Sequence, residues 1–223
     1  SEMCIRDRFG ARISLAVGCL AAVINLIVGT IYGGIAGYVG GKVDMIMMRV
    51  VDIIYSVPSM LYIVLIMLIF GASVVSIMLG ISITCWIDMA RIVRQQVKSL
   101  KEQEFTMAAF VLGAGSSRIL LKHLLINTMG QIIVTVTLMV PQAIFTEAWL
   151  SFLGVGISAP MASWGTLAQD ARELIMTYPM QTVYPMIAIC ITIFSFNFVG
   201  EGLEKALDPK SCLLYTSPSP RDS

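Results

Sequence analysis

The chain has 223 residues, 57% of them hydrophobic and only 13% charged, with a mean hydropathy of +0.84. A soluble domain is about a quarter charged, so an ordinary cytosolic enzyme is excluded. Lys plus Arg (15) nearly balances Asp plus Glu (14), and the net charge of +1 offers no field for nucleic acid. The five cysteines show neither CxxC nor His-paired spacing, so neither a zinc site nor a disulfide framework is supported.

Both ends read as foreign to the protein. Ser1–Arg8 (SEMCIRDR) and Cys212–Pro218 (CLLYTSP) can be encoded by opposite strands of one DNA duplex, as in read-through of a sequencing-library adapter. The expected division is an adapter-like tail over 1–8, a transmembrane domain over 9–210, and a second adapter-like tail over 211–223. The alternative is a basic leader with a disordered Ser/Pro-rich tail.

A membrane span needs about 20 largely apolar residues. Charge-free stretches run over Ile13–Gly41, Ile53–Ile87, Leu124–Thr146 and Leu174–Gly200. The second is too long for one helix, and Gly71-Ala72-Ser73 divides it into Ile53–Phe70 and Val74 to about Ala90. The expected fold is therefore all-α, a polytopic membrane protein with five spans. With the N-terminal end outside, Lys42, Arg49, Arg91, Arg94, Lys98, Lys101, Arg118, Lys122, Lys205 and Lys210 lie inside, and only Arg12 and Arg172 lie outside. That asymmetry satisfies the positive-inside rule and puts the C-terminal end in the cytoplasm.

In the first span Gly29, Gly33, Gly37 and Gly41 recur every four residues, a face along which a neighbouring backbone can approach closely. A phosphate-binding loop would need Gly five residues before Gly41 and Ser or Thr after Lys42; Ala36 and Val43 stand there instead. Pro58, Pro141 and Pro185 fall in or near spans, where proline kinks a helix or starts one. Asp52, Asp88 and Glu147 read as span ends, which gives little support to a proton relay.

The longest inside loop, Arg91–His123 with the coupling segment at about 95–125, holds six Lys/Arg against Glu102 and Glu104. Phe105, Ala108, Ala109 and Leu112 follow helical spacing, Gly113 and Gly115 can end that helix, and Ser116 can cap the next. A short apolar helix with a small-residue face suits a partner's groove; an interfacial helix lying on anionic lipid is the alternative.

The run Glu104-Phe105-Thr106-Met107-Ala108-Ala109-Phe110-Val111-Leu112-Gly113 resembles the "EAA" loop of ATP-binding-cassette importer permeases. It is joined by Gly10-Ala11-Arg12, by Arg49 and Asp52 before Pro58, and by Trp86 with Ala90-Arg91 and Arg94. Lys122-His123 with Asn127, the run Glu147–Gly156, Ser163-Trp164-Gly165, and Asn197 through Asp208-Pro209 follow in order. Along essentially all of Phe9–Lys210 this resembles the second permease subunit of dipeptide, oligopeptide and nickel importers. Two positions depart: Met107 stands where a Glu usually precedes Ala-Ala, and Ile126 where a Pro is expected before Asn127.

The resemblance implies the type I importer permease fold and a non-catalytic, cofactor-free subunit. It would pair with a homologous permease, two cytoplasmic ATPases that bind the ATP, and an external solute-binding protein, in a bacterial or archaeal cell membrane. Glu104, Phe105, Ala108, Ala109, Leu112 and Gly113 would form the ATPase-coupling helix. The external loop, about 147–182 with Trp149, Trp164 and Tyr178, would face the binding protein, with an aromatic membrane belt as the alternative. A gradient-driven carrier, expected to show midplane acids and broken helices, and a membrane scaffold are the competing functions. The lone His123 is read as an interface residue, and no metal site is expected.

Overall fold

A computed structural model describes residues 2–157 and 161–207, all of whose regular structure is helical. The Asp208-Pro209 motif and the 211–223 tail lie outside the described residues. The helices are α1 (Glu2–Val39), α2 (Gly41–Tyr55), α3 (Ser59–Phe70), α4 (Val74–Lys101), α5 (Glu104–Val111), α6 (Ser116–Arg118), α7 (Ile126–Phe152), α8 (Trp164–Arg172) and α9 (Met180–Leu207). A π-helical turn, Ile119–Leu125, joins α6 to α7. Four stretches are single helices long and apolar enough to cross a membrane: Arg6–Val39, Val74–Lys101, Ser116–Phe152 and Met180–Leu207. The fifth is the pair α2 and α3, bent by 75°.

That bend corrects the expected span 53–70. Pro58 is the N-cap of α3 and forces Val57 out of the helical region, so the apolar run is split. The carbonyls freed at the break are answered locally: Ser56 Oγ donates to Ile53 O at 2.7 Å and Tyr62 Oη to Ile54 O at 3.3 Å. Gly71, at φ 83, ends α3, and Ser73 caps α4 by accepting from the Ser76 amide at 3.1 Å. The last span begins at Met180 rather than Leu174. Pro141 and Pro185 lie inside α7 and α9.

The glycine face is real over three of its four members. A Cβ on Gly29 would lie 2.6 Å from the Met89 side chain, one on Gly37 2.7 Å from the Arg94 carbonyl oxygen, and one on Gly33 would strike the Ala90 backbone. Hydrogen side chains thus let α1 lie directly on α4. Gly41 takes no part, because α1 ends at Val39 and Gly40 and Gly41, at φ 69 and 58, make the turn into α2.

Three apolar clusters fill the bundle, the third of them Ala22, Val140, Ile144 and Trp164 where α1 and α7 meet α8. Val17, Ala21, Ile63, Ile77, Ile81 and Leu150 fill the end nearer α8, and Met89, Val93, Val97, Leu124, Ile132 and Met139 the end nearer α5. The short α8 lies across α1, α7 and α9, and α9 buries little beyond Thr182, Pro185 and Gly200.

Candidate functional site

The helix expected for coupling is α5, and its ends are fixed by backbone chemistry. Thr106 Oγ1 donates to Leu100 O at 2.8 Å, tying α5 to the last turn of α4. At the other end Gly113, at φ 79, donates to Phe110 O at 3.0 Å and Ala114 to Ala109 O at 3.1 Å, the paired bonds of a Schellman stop. Ser116 does not cap the next helix; Gly115 occupies that position, and no side chain bonds there.

The predicted site residues divide between two faces. Ala109 and Thr106 are buried against the bundle. Glu104, Phe105, Ala108, Leu112 and Gly113 are exposed, Leu112 at 87%, together with Met107, Phe110 and Val111. Glu104, Ala108 and Val111 share one outward stripe at helical spacing. The expected small-residue face is therefore split, and what α5 shows to the outside is mainly large and apolar. Beside it a groove of about 550 Å³ is lined by Tyr38, Lys101, Thr106, Phe110 and Ile119. Lys101 Nζ braces it by donating to Tyr38 O at 2.5 Å.

Nothing separates α5 from α4 except Glu102 and Gln103, so the 28-residue α4 is the rod that α5 would move. Two charge pairs hang α2 on that rod. Arg94 makes a forked pair with Asp44, its Nη2 at 2.5 Å from Oδ2. Arg91 Nη2 lies 3.0 Å from Asp52 Oδ1, and its guanidinium sits 4.5 Å from the centre of the Tyr55 ring. The sequence had flagged Asp52, Arg91 and Arg94 without pairing them, and it passed over Asp44.

Where α2 breaks, a cavity of about 440 Å³ opens, lined by Tyr55, Pro58, Thr84, Asp88, Gln142 and Thr146 among others. A second, of about 280 Å³, shares Asp88 and Gln142 and adds Gln131, Thr135 and Glu204. Asp88 is the fifteenth of the 28 residues of α4, because that helix continues past Arg91 and Arg94 to Lys101.

At the opposite end of the bundle Glu147 is fully buried. It accepts from Ser151 Oγ at 2.8 Å and from Ser14 Oγ at 3.0 Å, and Ser14 Oγ accepts in turn from the Trp164 amide at 3.3 Å. That amide opens α8, whose Ser163 and Thr166 form a capping box. Trp164 is buried in the core, whereas Trp149 and Tyr178 are exposed. The expected external loop 147–182 thus begins inside α7 and is anchored by a carboxylate that the sequence had assigned only to a span end.

Among the described residues, four unbroken apolar helices, one broken pair and a short helix presenting an apolar face define a polytopic membrane protein. Residues 29–211 match the family described as binding-protein-dependent transport system inner membrane component. The chain is 51% identical to the oligopeptide transport system permease protein OppC of Bacillus subtilis over 94% of its own length and 68% of that protein. It is 48% identical to the dipeptide transport system permease protein DppC of the same organism, over 92% and 64% respectively. The chain belongs to this family of permease subunits. Its fold is also that of a solved chain of the MetNI methionine ABC transporter in an inward-facing conformation, at a TM-score of 0.73 and 17% identity, covering 93% of this chain and 99% of that one.

Proposed function

We propose that this chain is the permease subunit of an ATP-driven peptide importer, forming half of the translocation pathway beside a homologous permease. Two separate ATPases bind and hydrolyse the ATP, and a solute-binding protein delivers di- or oligopeptides. The α5 end and the C-terminal end face the cytoplasm, the α8 end faces outward, and the exposed apolar sides of the bundle meet lipid or the second permease. Peptide cargo follows from the 51% and 48% identity to oligopeptide and dipeptide permeases.

The observation that carries the coupling role is the direct continuity of α5, the rod α4 and the broken pair α2–α3. An ATPase that closes around α5 displaces the end of α4; the Asp44–Arg94 and Asp52–Arg91 pairs pass the movement to α2, and the break at Pro58 absorbs it beside the 440 Å³ cavity. This is a two-state element biased by a partner, as coupling requires. A gradient-driven carrier would share the broken helix and a mid-helix acid, and family membership favours the importer.

Reconstitution with the second permease, both ATPases and the binding protein decides between them. Peptide uptake is expected to stop with a hydrolysis-dead ATPase. Uptake that persists there and follows an imposed proton or sodium gradient overturns the importer reading.

A further inference from the structure

The two cavities that meet at Asp88 share a stripe of polar side chains set among apolar ones. Along α7, Gln131, Thr135, Gln142 and Thr146 recur at helical intervals, and Thr84 and Asp88 face the same space from α4, one turn apart. Asp88 lies about 21 Å along α4 from its start and one turn before Arg91, the first of the cations of that helix read as cytoplasmic, so it sits toward the inner side of the span. A carboxylate within a span is kept where it faces water or an opposite charge.

Asp88 is exposed and makes no ion pair among the described residues. The nearest guanidinium along the helix, Arg91, is turned to Asp52 and Tyr55. Glu204, the other charged group on this surface, lines only the second cavity and has the same sign. The surface therefore carries polar side chains among apolar ones, with a carboxylate that has Arg91 nearby but no ion-pair contact among the described residues, beside the break between α2 and α3.

Resting on the importer reading, we infer that this surface contacts the cargo in transit and that Asp88 pairs with a cationic group of the peptide, an ammonium or guanidinium. Gln142 offers a neutral partner to peptide amides of any sequence, and the Thr84 and Thr146 hydroxyls, which donate to Ile81 O and Gln142 O, offer acceptors, so Asp88 is the residue that discriminates by charge. The carboxylate favours a cation on its way across and repels an anion at the same place, as charge-lined pathways do.

The test uses the full complex in proteoliposomes, with initial uptake rates of Ala-Lys-Ala and Ala-Glu-Ala compared for the wild type, Asp88→Asn and Asp88→Glu. The preference of the binding protein multiplies every variant equally, so the change in the Lys-to-Glu ratio isolates the permease. Asp88→Asn is expected to lower that ratio about tenfold, or about 1.4 kcal/mol, and Asp88→Glu to preserve most of it. Pull-down of the second permease measures assembly alongside. An unchanged ratio in Asp88→Asn, equal losses for both peptides, or failure of that variant to assemble overturns the assignment, the last because Asp88 would then be pairing with a partner subunit. A wild-type complex that assembles but carries neither peptide refutes the peptide-importer reading itself, a different result from an unaltered ratio.

Discussion

The two ends of the bundle are built on opposite plans. Around α8, polar groups are buried and mutually satisfied: Glu147 holds two serine hydroxyls, one of which receives the first amide of α8, and Gly165 packs so tightly that a Cβ would lie 2.5 Å from the Ala148 carbonyl oxygen. Around α5, the charge pairs are partly solvated and the largest apolar side chains point outward. A buried polar network fixes one geometry, because every departure leaves a group unpaired. Partly solvated pairs and an uncovered apolar helix fix the geometry less tightly.

The contrast breaks most sharply at Glu147. Glu147→Ala strips the acceptor from Ser14 and Ser151 at once and empties their buried surroundings; at about 1–3 kcal/mol for each buried group left unpaired, a loss of about 3 kcal/mol is expected in denaturant unfolding of the detergent-solubilised chain. Glu147→Gln keeps an acceptor oxygen and should lose less than half as much. Equal losses from both variants would mean that Glu147 acts through its volume and not as the hydrogen-bonded pin.

Smaller effects should separate the two pairs that hang α2 on α4. Side-chain exposure is 11% for Asp44 but 54% for Asp52. Exposed pairs contribute about 0–1 kcal/mol and are screened by salt, whereas a forked pair with less exposed partners contributes more. A double-mutant cycle of Asp44→Asn with Arg94→Gln should return about 1–2 kcal/mol of coupling that survives 1 M salt. The cycle of Asp52→Asn with Arg91→Gln should return under about 1 kcal/mol and lose it in that salt. Indistinguishable cycles would remove the distinction between an inner and an outer tether.

What could be read from sequence follows the same division. The α5 helix was legible because its stop is local: Gly113 takes a positive φ that other residues avoid, and the apolar spacing before it is helical. The glycine face was legible up to Gly37, but a period of four residues does not reveal where a helix ends, so Gly41 was counted into a face that it leaves. The start of the broken span was misplaced because hydropathy marks Ile53–Phe70 as one run, whereas α2 reaches back to Gly41 through charged residues that pair with α4. Those pairs join residues 39 and 50 positions apart, beyond any local pattern. Glu147 was misjudged for a related reason. Ser151, four residues on, was a readable partner, but Ser14 lies 133 residues away, and only the meeting of α1, α7 and α8 shows the carboxylate to be enclosed.

The smallest effect on the fold should accompany the largest on coupling, at Ala108. Its side chain is exposed on the outward stripe with Glu104 and Val111, while its neighbour Ala109 is turned into the bundle. Ala108→Arg therefore adds bulk and charge where the chain itself has nothing to clash with, and surface substitutions of this kind change stability by about 0.5 kcal/mol or less. A partner groove that receives the apolar face of α5 would have to desolvate the guanidinium without a paired acid, so association of the ATPases, and peptide-stimulated ATP turnover in the reconstituted complex, should be lost. Ala109→Arg is the control, since it drives the same group into the bundle and should instead destabilise the chain by several kcal/mol. Normal ATPase pull-down by Ala108→Arg would move the docking surface off this stripe, leaving the groove of Tyr38, Phe110 and Ile119 as the place where the partner is held.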